Sequence, residues 1–137
     1  MPKAEQGMNE ATGLSGPASL RAAALRALDE KVTTDILAGF DYVVDGETLH
    51  FSYDATAQQN FADEANAALL ALQKGTAPII KWNGHRADGG TVRLELTPET
   101  FLDLYTLGAL AHKNAHRDRF ADLKENADLE ELRAACL

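Results

Sequence analysis

Apolar side chains recur along the chain first at helical and then at alternate spacing, and the switches between the two periods mark out the elements. From Ala18 onward Leu25, Leu28, Val32 and Ile36 return every three or four residues, with Arg26, Asp29, Lys31 and Asp35 elsewhere on the wheel. This pattern predicts an amphipathic helix over about 18–38, because one stripe is apolar and the rest polar. Ser15-Gly16-Pro17 supplies a cap and a first-turn proline, and Gly39 supplies the terminator.

Period two follows. Phe40, Tyr42 and Val44 alternate with Asp41 and Val43; after Asp45-Gly46, Leu49, Phe51 and Tyr53 alternate with His50 and Ser52. Asp-Gly between alternating runs predicts a tight hairpin over about 40–53. A second helix is expected over about 55–74, capped by Asp54 or by Thr56, whose Gln59 stands three residues on as in a capping box. Its buried stripe reads Phe61, Ala65, Ala68, Leu69 and Leu72, and Gly75 stops it.

A second hairpin is expected over about 79–96, with a Gly-rich reversal from Asn83 to Gly90. Beyond it Val92, Leu94 and Leu96 face the core while Arg93 and Glu95 face water. Thr97-Pro98-Glu99 opens a long third helix, expected over about 98–125, since it combines a cap, an N1 proline and an early acid. At a period of 3.6 its buried face carries Phe101, Leu104, Tyr105, Gly108, Ala111 and Ala115, then Phe120 and Leu123. Gly108 and the alanines there would admit another helix closely. Leu102, Leu107 and Leu110 widen the stripe beyond what one neighbour covers, which predicts self-association or a partner along that helix. Asp128-Leu129-Glu130-Glu131 starts a short C-terminal helix that docks through Leu129, Leu132 and Leu137.

The fold class is therefore α+β, with three main helices, two β-hairpins and a short C-terminal helix, in one domain over residues 18–137. Residues 1–17 lack apolar periodicity and read as a flexible N-terminal arm.

Composition changes this picture mainly by exclusion. The chain has 137 residues and a net charge of −8, with 13 Lys and Arg scattered rather than gathered in a stripe. That field repels phosphates, so nucleic acid is not an expected partner. No apolar run reaches the length of a membrane span, and the polar N-terminus lacks a secretory h-region. No membrane partner is expected, and synthesis in the cytoplasm is. The lone Cys136 leaves no internal disulfide to form.

Candidate chemistry is sparse. His112-Lys113-Asn114-Ala115-His116 places two histidines four apart, but Lys113 stands where a zinc protease needs its glutamate, and a third ligand is missing. No metal and no cofactor are expected. The carboxylates Asp63 and Glu64, and Asp128, Glu130 and Glu131, sit in helical, mixed-charge stretches that explain them as solvated faces or caps. The segment Asn83–Gly90 lacks the Gly-Lys-Ser/Thr ending of a phosphate loop, so it reads as a contact loop. No catalytic residue is assigned, and no enzyme is expected. Trp82, at the end of a strand, reads as a core anchor or, as the second reading, an interface anchor. The residues assigned to interaction are Trp82, His85 and Arg86 beside that loop, and Leu102, Leu107 and Leu110 on the third helix.

Several local signals recur together: Ala38-Gly39-Phe40 closing a charged helix, Asp54 leading into Gln58-Gln59-Asn60, and an Ala/Leu helix ending at Lys74-Gly75. A strand bearing Trp82, a period-two strand and a long helix ending near Leu123-Lys124 complete the series. This order resembles a family of small domains of tailed bacteriophages and prophages, found in tail and tail-fibre gene clusters, over Leu25 to Glu125. The resemblance implies a non-enzymatic tail component at the tail tip, baseplate or fibre attachment, with other tail proteins or its own copies as partners. Its expected location is then the virion tail, after synthesis in the host bacterial cytoplasm. The alternative is a tail-fibre assembly chaperone that the virion does not retain.

Overall fold

A computed structural model describes residues 16–137. The N-terminal arm and the Ser15 cap expected from the sequence lie outside the described residues, apart from Gly16 and Pro17. The elements are α1 (Pro17–Leu37), β1 (Phe40–Val44), β2 (Glu47–Phe51), α2 (Ala55–Lys74), β3 (Ile80–His85), β4 (Thr91–Leu96) and α3 (Pro98–Asp103). A π-helical segment (Leu104–Leu110), α4 (Ala111–Asn126) and α5 (Leu129–Ala135) follow. The class is α+β, as the periodicities required.

The residues cluster into two compact units, the described residues of the first being 16–33 and 117–137 and those of the second Thr34–His116. In the first, Ala24, Leu28 and Val32 are buried at four-residue steps, together with Ala127 and Leu132. Each large side chain so enclosed contributes about 1.5–3 kcal/mol of transfer free energy. Arg21 forks onto two carbonyls at the end of α4, donating to Ala127 O at 2.7 Å and Lys124 O at 2.6 Å. A guanidinium suits the carbonyl-rich, negative end of a helix. Asp128 and Glu131 form the expected capping box of α5. Leu132 is fully buried and Leu129 half-buried, but Leu137 is 96 % exposed, so the chain end does not dock as expected.

The second unit is built on one antiparallel sheet of strand order β1-β2-β3-β4. Asp45 and Gly46 both take positive φ, 51° and 81°, which is the twist a two-residue hairpin needs. Phe40 pairs with Phe51, Tyr42 with Leu49, Trp82 with Leu94 and Gly84 with Val92, so one face of the sheet is apolar. The other face carries Asp41, His50, His85 and Thr91 in a row across all four strands. An aromatic cluster fills the core: Phe40 stacks on Phe51 at 5.5 Å, and Phe61 lies 4.6 Å from Trp82 and 5.8 Å from Phe101. Trp82 is thus anchored in the core, with part of its surface still open.

The second hairpin departs from expectation at its turn. Asn83-Gly84 belongs to β3, and the reversal is confined to Arg86–Gly90. Gly84 is there for packing, since a Cβ would lie 3.1 Å from Leu49 Cδ1 and 3.2 Å from the Phe51 ring. The turn closes by its own bonds: Arg86 N–H donates to Gly90 O at 2.7 Å and Gly89 N–H to Arg86 O at 2.9 Å.

Asp54, rather than Thr56, caps α2, accepting from Ala57 N–H at 2.8 Å. The buried line of α2 runs Phe61, Ala65, Ala68, Ala71, while Leu69 and Leu72 are exposed, which corrects the expected stripe. The reason is depth: alanines let α2 approach α3 closely, and the leucines turn outward.

The third helix carries the largest correction. It starts as expected, Thr97 and Thr100 capping reciprocally ahead of Pro98, but turns π-helical over Leu104–Leu110. A π turn bonds i to i+5 and takes up one residue more than an α turn, so every later position rotates by one. Gly108 and Ala109 are both buried, Ala111 and Ala115 are exposed, and His112 and His116 stand half-buried in their place. Gly108 does admit a close neighbour, but that neighbour is β1: a Cβ on Gly108 would lie 2.7 Å from Phe40 Cε2 and 3.2 Å from Tyr42 Cδ1.

Candidate functional site

Two surface features in the second unit bring polar groups together. The first surrounds the end of α1. His50, on β2, has Nδ1 2.8 Å from Asp41 Oδ1 and Nε2 2.9 Å from the Ala38 carbonyl. His112 has Nε2 3.0 Å from the Ile36 carbonyl, which accepts its hydrogen, and its ring packs on Phe40 at 5.8 Å. Each imidazole thus reaches a carbonyl at the end of a helix, His50 that of Ala38 and His112 that of Ile36, which also accepts from Gly39 N–H at 3.3 Å. This assigns both rings a structural task. His112 and His116 lie edge to face, 4.8 Å apart, and among the described residues no group of three or more His, Cys, Asp or Glu is placed to hold a metal. Tyr53 is buried beside them, and burial pushes its phenol above its ordinary value, with neighbouring Tyr105 acting in the same sense.

The second feature is a groove of about 510 Å³ that opens where β2 and β3 part. The two strands pair at His50↔His85 alone, because past Phe51 the chain leaves the sheet to enter α2. Asn60 and Glu64 of α2 line one side, and Lys81, Trp82 and Asn83 of β3 the other. Glu64 is half-buried and makes no ion pair among the described residues. Arg93 donates to Asn83 Oδ1 at 3.0 Å, and Asp63 accepts from Gln59 Nε2 at 2.8 Å.

Of the residues assigned to interaction from the sequence, Trp82 and His85 both line this groove. Arg86 does not; it pairs with Glu47 at 2.8 Å across the hairpins, both side chains about half exposed. Leu102 and Leu110 are half-buried, and only Leu107 of the three leucines is open, at 64 %. The expected apolar face of the third helix is therefore narrower than its sequence suggested. Exposed leucines gather instead on α2, where Leu69, Leu70 and Leu72 lie within one turn, followed by Ile79. Glu64, Lys81 and Asn83 were not assigned from the sequence; no local pattern marks a groove created by two strands diverging.

A family model described as a domain of unknown function (DUF4376) matches residues 19–135. The chain belongs to the DUF4376 family. That match takes in α2, both hairpins and every residue of the groove, so the groove lies within the DUF4376 domain. No curated protein and no solved structure matches the chain.

Proposed function

We propose that this DUF4376 domain is a non-enzymatic component of a bacteriophage or prophage tail, at the tail tip, baseplate or tail-fibre attachment, acting through protein–protein contacts. The observation that carries the contact role is the exposure of Leu69, Leu70 and Leu72 on one helical turn of α2. Apolar side chains so grouped on a surface are what an interface covers. The tail placement rests on the order of sequence signals from Leu25 to Glu125 described above.

Tandem mass spectrometry of purified virions tests this reading. Recovery of the chain at a fixed ratio to the tail proteins supports it. Its absence from virions, with the chain bound to fibre protein in the lysate, replaces it with the assembly chaperone; absence from both ends it.

A further inference from the structure

The sheet is incomplete beside β3. Arg86 N–H bonds to Gly90 O, and pairing continues from there with Gly84↔Val92, Trp82↔Leu94 and Ile80↔Leu96. In an antiparallel ladder the residues that exchange bonds with one neighbour alternate with those that address the other. Ile80, Trp82 and Gly84 therefore bond toward β4, while Lys81, Asn83 and His85 direct their N–H and C=O toward β2. His85 meets His50 there; Asn83 and Lys81 meet no strand. The first half of β3 is thus an edge, and an edge is a template for another strand.

The groove along that edge carries both signs, acidic on its α2 side through Asp63 and Glu64 and basic on the sheet side through Lys81 and Arg93. From Ala55 to Gln73, α2 carries Asp63 and Glu64 and no Lys or Arg, and both acids line the groove. Glu64 faces it half-buried and without an ion-pair partner among the described residues. A strand laid beside β3 sends alternate side chains to its two faces, and those on the α2 side meet these carboxylates.

We infer that the Lys81–Asn83 edge of β3 binds an extended peptide segment of a partner protein by strand addition, with basic side chains at alternate positions directed at Glu64 and Asp63. Main-chain bonds to Asn83 and Lys81 hold the segment, and the carboxylates select its side chains. The inference goes beyond the tail assignment and does not rest on it, because it is tested on the isolated protein.

The probe is an acetylated, amidated Val-Lys-Val-Lys-Val peptide titrated into the 15N-labelled full chain. It is expected to move the backbone amide signals of Lys81 and Asn83 more than those of β1, whereas the Val-Glu-Val-Glu-Val peptide moves neither. N-methylation of those amides of the lysine peptide that face β3 is expected to weaken binding at least tenfold, and Glu64→Gln at least threefold. Asn83→Pro is the second variant: it removes the free donor without removing a bond to β4, and it is expected to abolish binding while the β4 amide signals stay in place. The inference is overturned if no amide of β3 moves at peptide concentrations on the order of a millimolar, the weak limit of specific affinity. It is overturned equally if the N-methylated peptide binds as well as its parent, or if Glu64→Gln leaves affinity unchanged.

Discussion

Gly108 and Phe40 touch across the second unit so closely that no side chain fits between them: a Cβ on Gly108 would come within 2.7 Å of Phe40 Cε2. Phe40 cannot retreat, because its ring is enclosed by Phe51, Tyr53, Phe61 and His112. Gly108→Ala gains about 1 kcal/mol of helix propensity but overpacks the core by roughly 2–3 kcal/mol, so a net loss of about 1–2 kcal/mol is expected. Urea denaturation measures it. Phe40→Leu introduced together with Gly108→Ala should recover part of the loss, and strict additivity of the two would show that the contact is not the cause.

Gly39 holds a second close approach. Its φ is +94°, and a Cβ there would lie 2.3 Å from the Phe51 carbonyl and 2.6 Å from His50 Nε2. Backbone strain and a clash with main chain act together, so Gly39→Ala should cost about 3 kcal/mol or more. A denaturation midpoint within error of the parent's would contradict this.

The Arg21 fork joins α1 to the end of α4 through carbonyls that have no helical partner. Arg21→Ala should lower stability by about 1–2 kcal/mol, and Arg21→Lys by less, since a single ammonium serves both carbonyls poorly. A loss near zero for Arg21→Lys beside a full loss for Arg21→Ala would mean that packing of the side-chain stem, rather than the fork, matters.

Tyr53 sets an alkaline limit. Burial first, and Tyr105 second, raise its pKa above 10.0, so the folded state keeps the phenol proton after the unfolded chain begins to release it. Stability is then fully present below the unfolded value and declines as pH rises through the folded one. Thermal unfolding followed from about pH 9 to about pH 11 should show this decline in the parent and a smaller one in Tyr53→Phe. Parallel curves would remove Tyr53 as the cause.

The leucines of α2 offer the reverse case. Leu69→Lys with Leu72→Lys should change stability by no more than about 0.5 kcal/mol each, because both side chains already face water. Any self-association seen by light scattering should fall. Association unchanged in the double variant would move the contact surface elsewhere, to Leu107 first.

Much of the fold was legible in the chain because its signals are local. Asp45-Gly46 specifies a turn by the φ values these two residues tolerate, Asp128 and Glu131 satisfy each other's backbone, and Leu28, Val32 and Ile36 repeat at the pitch of a helix. None of these depends on what lies across the molecule.

What tertiary structure decided was phase and edge. The period of 3.6 placed Ala111 and Ala115 inside, but Phe40 and Tyr42 pressing on Gly108 accompany a π turn that rotates His112 and His116 into their place. Asn83-Gly84 has the composition of a turn, yet Gly84 sits in a strand because Leu49 and Phe51 occupy the space of its missing side chain. The groove beside β3 exists only because β2 leaves the sheet after one pair, a property of how two strands diverge and of no residue within either. Periodicity along a chain reports the angle between successive side chains; which neighbour fills the space they point into is set by the packing of distant segments.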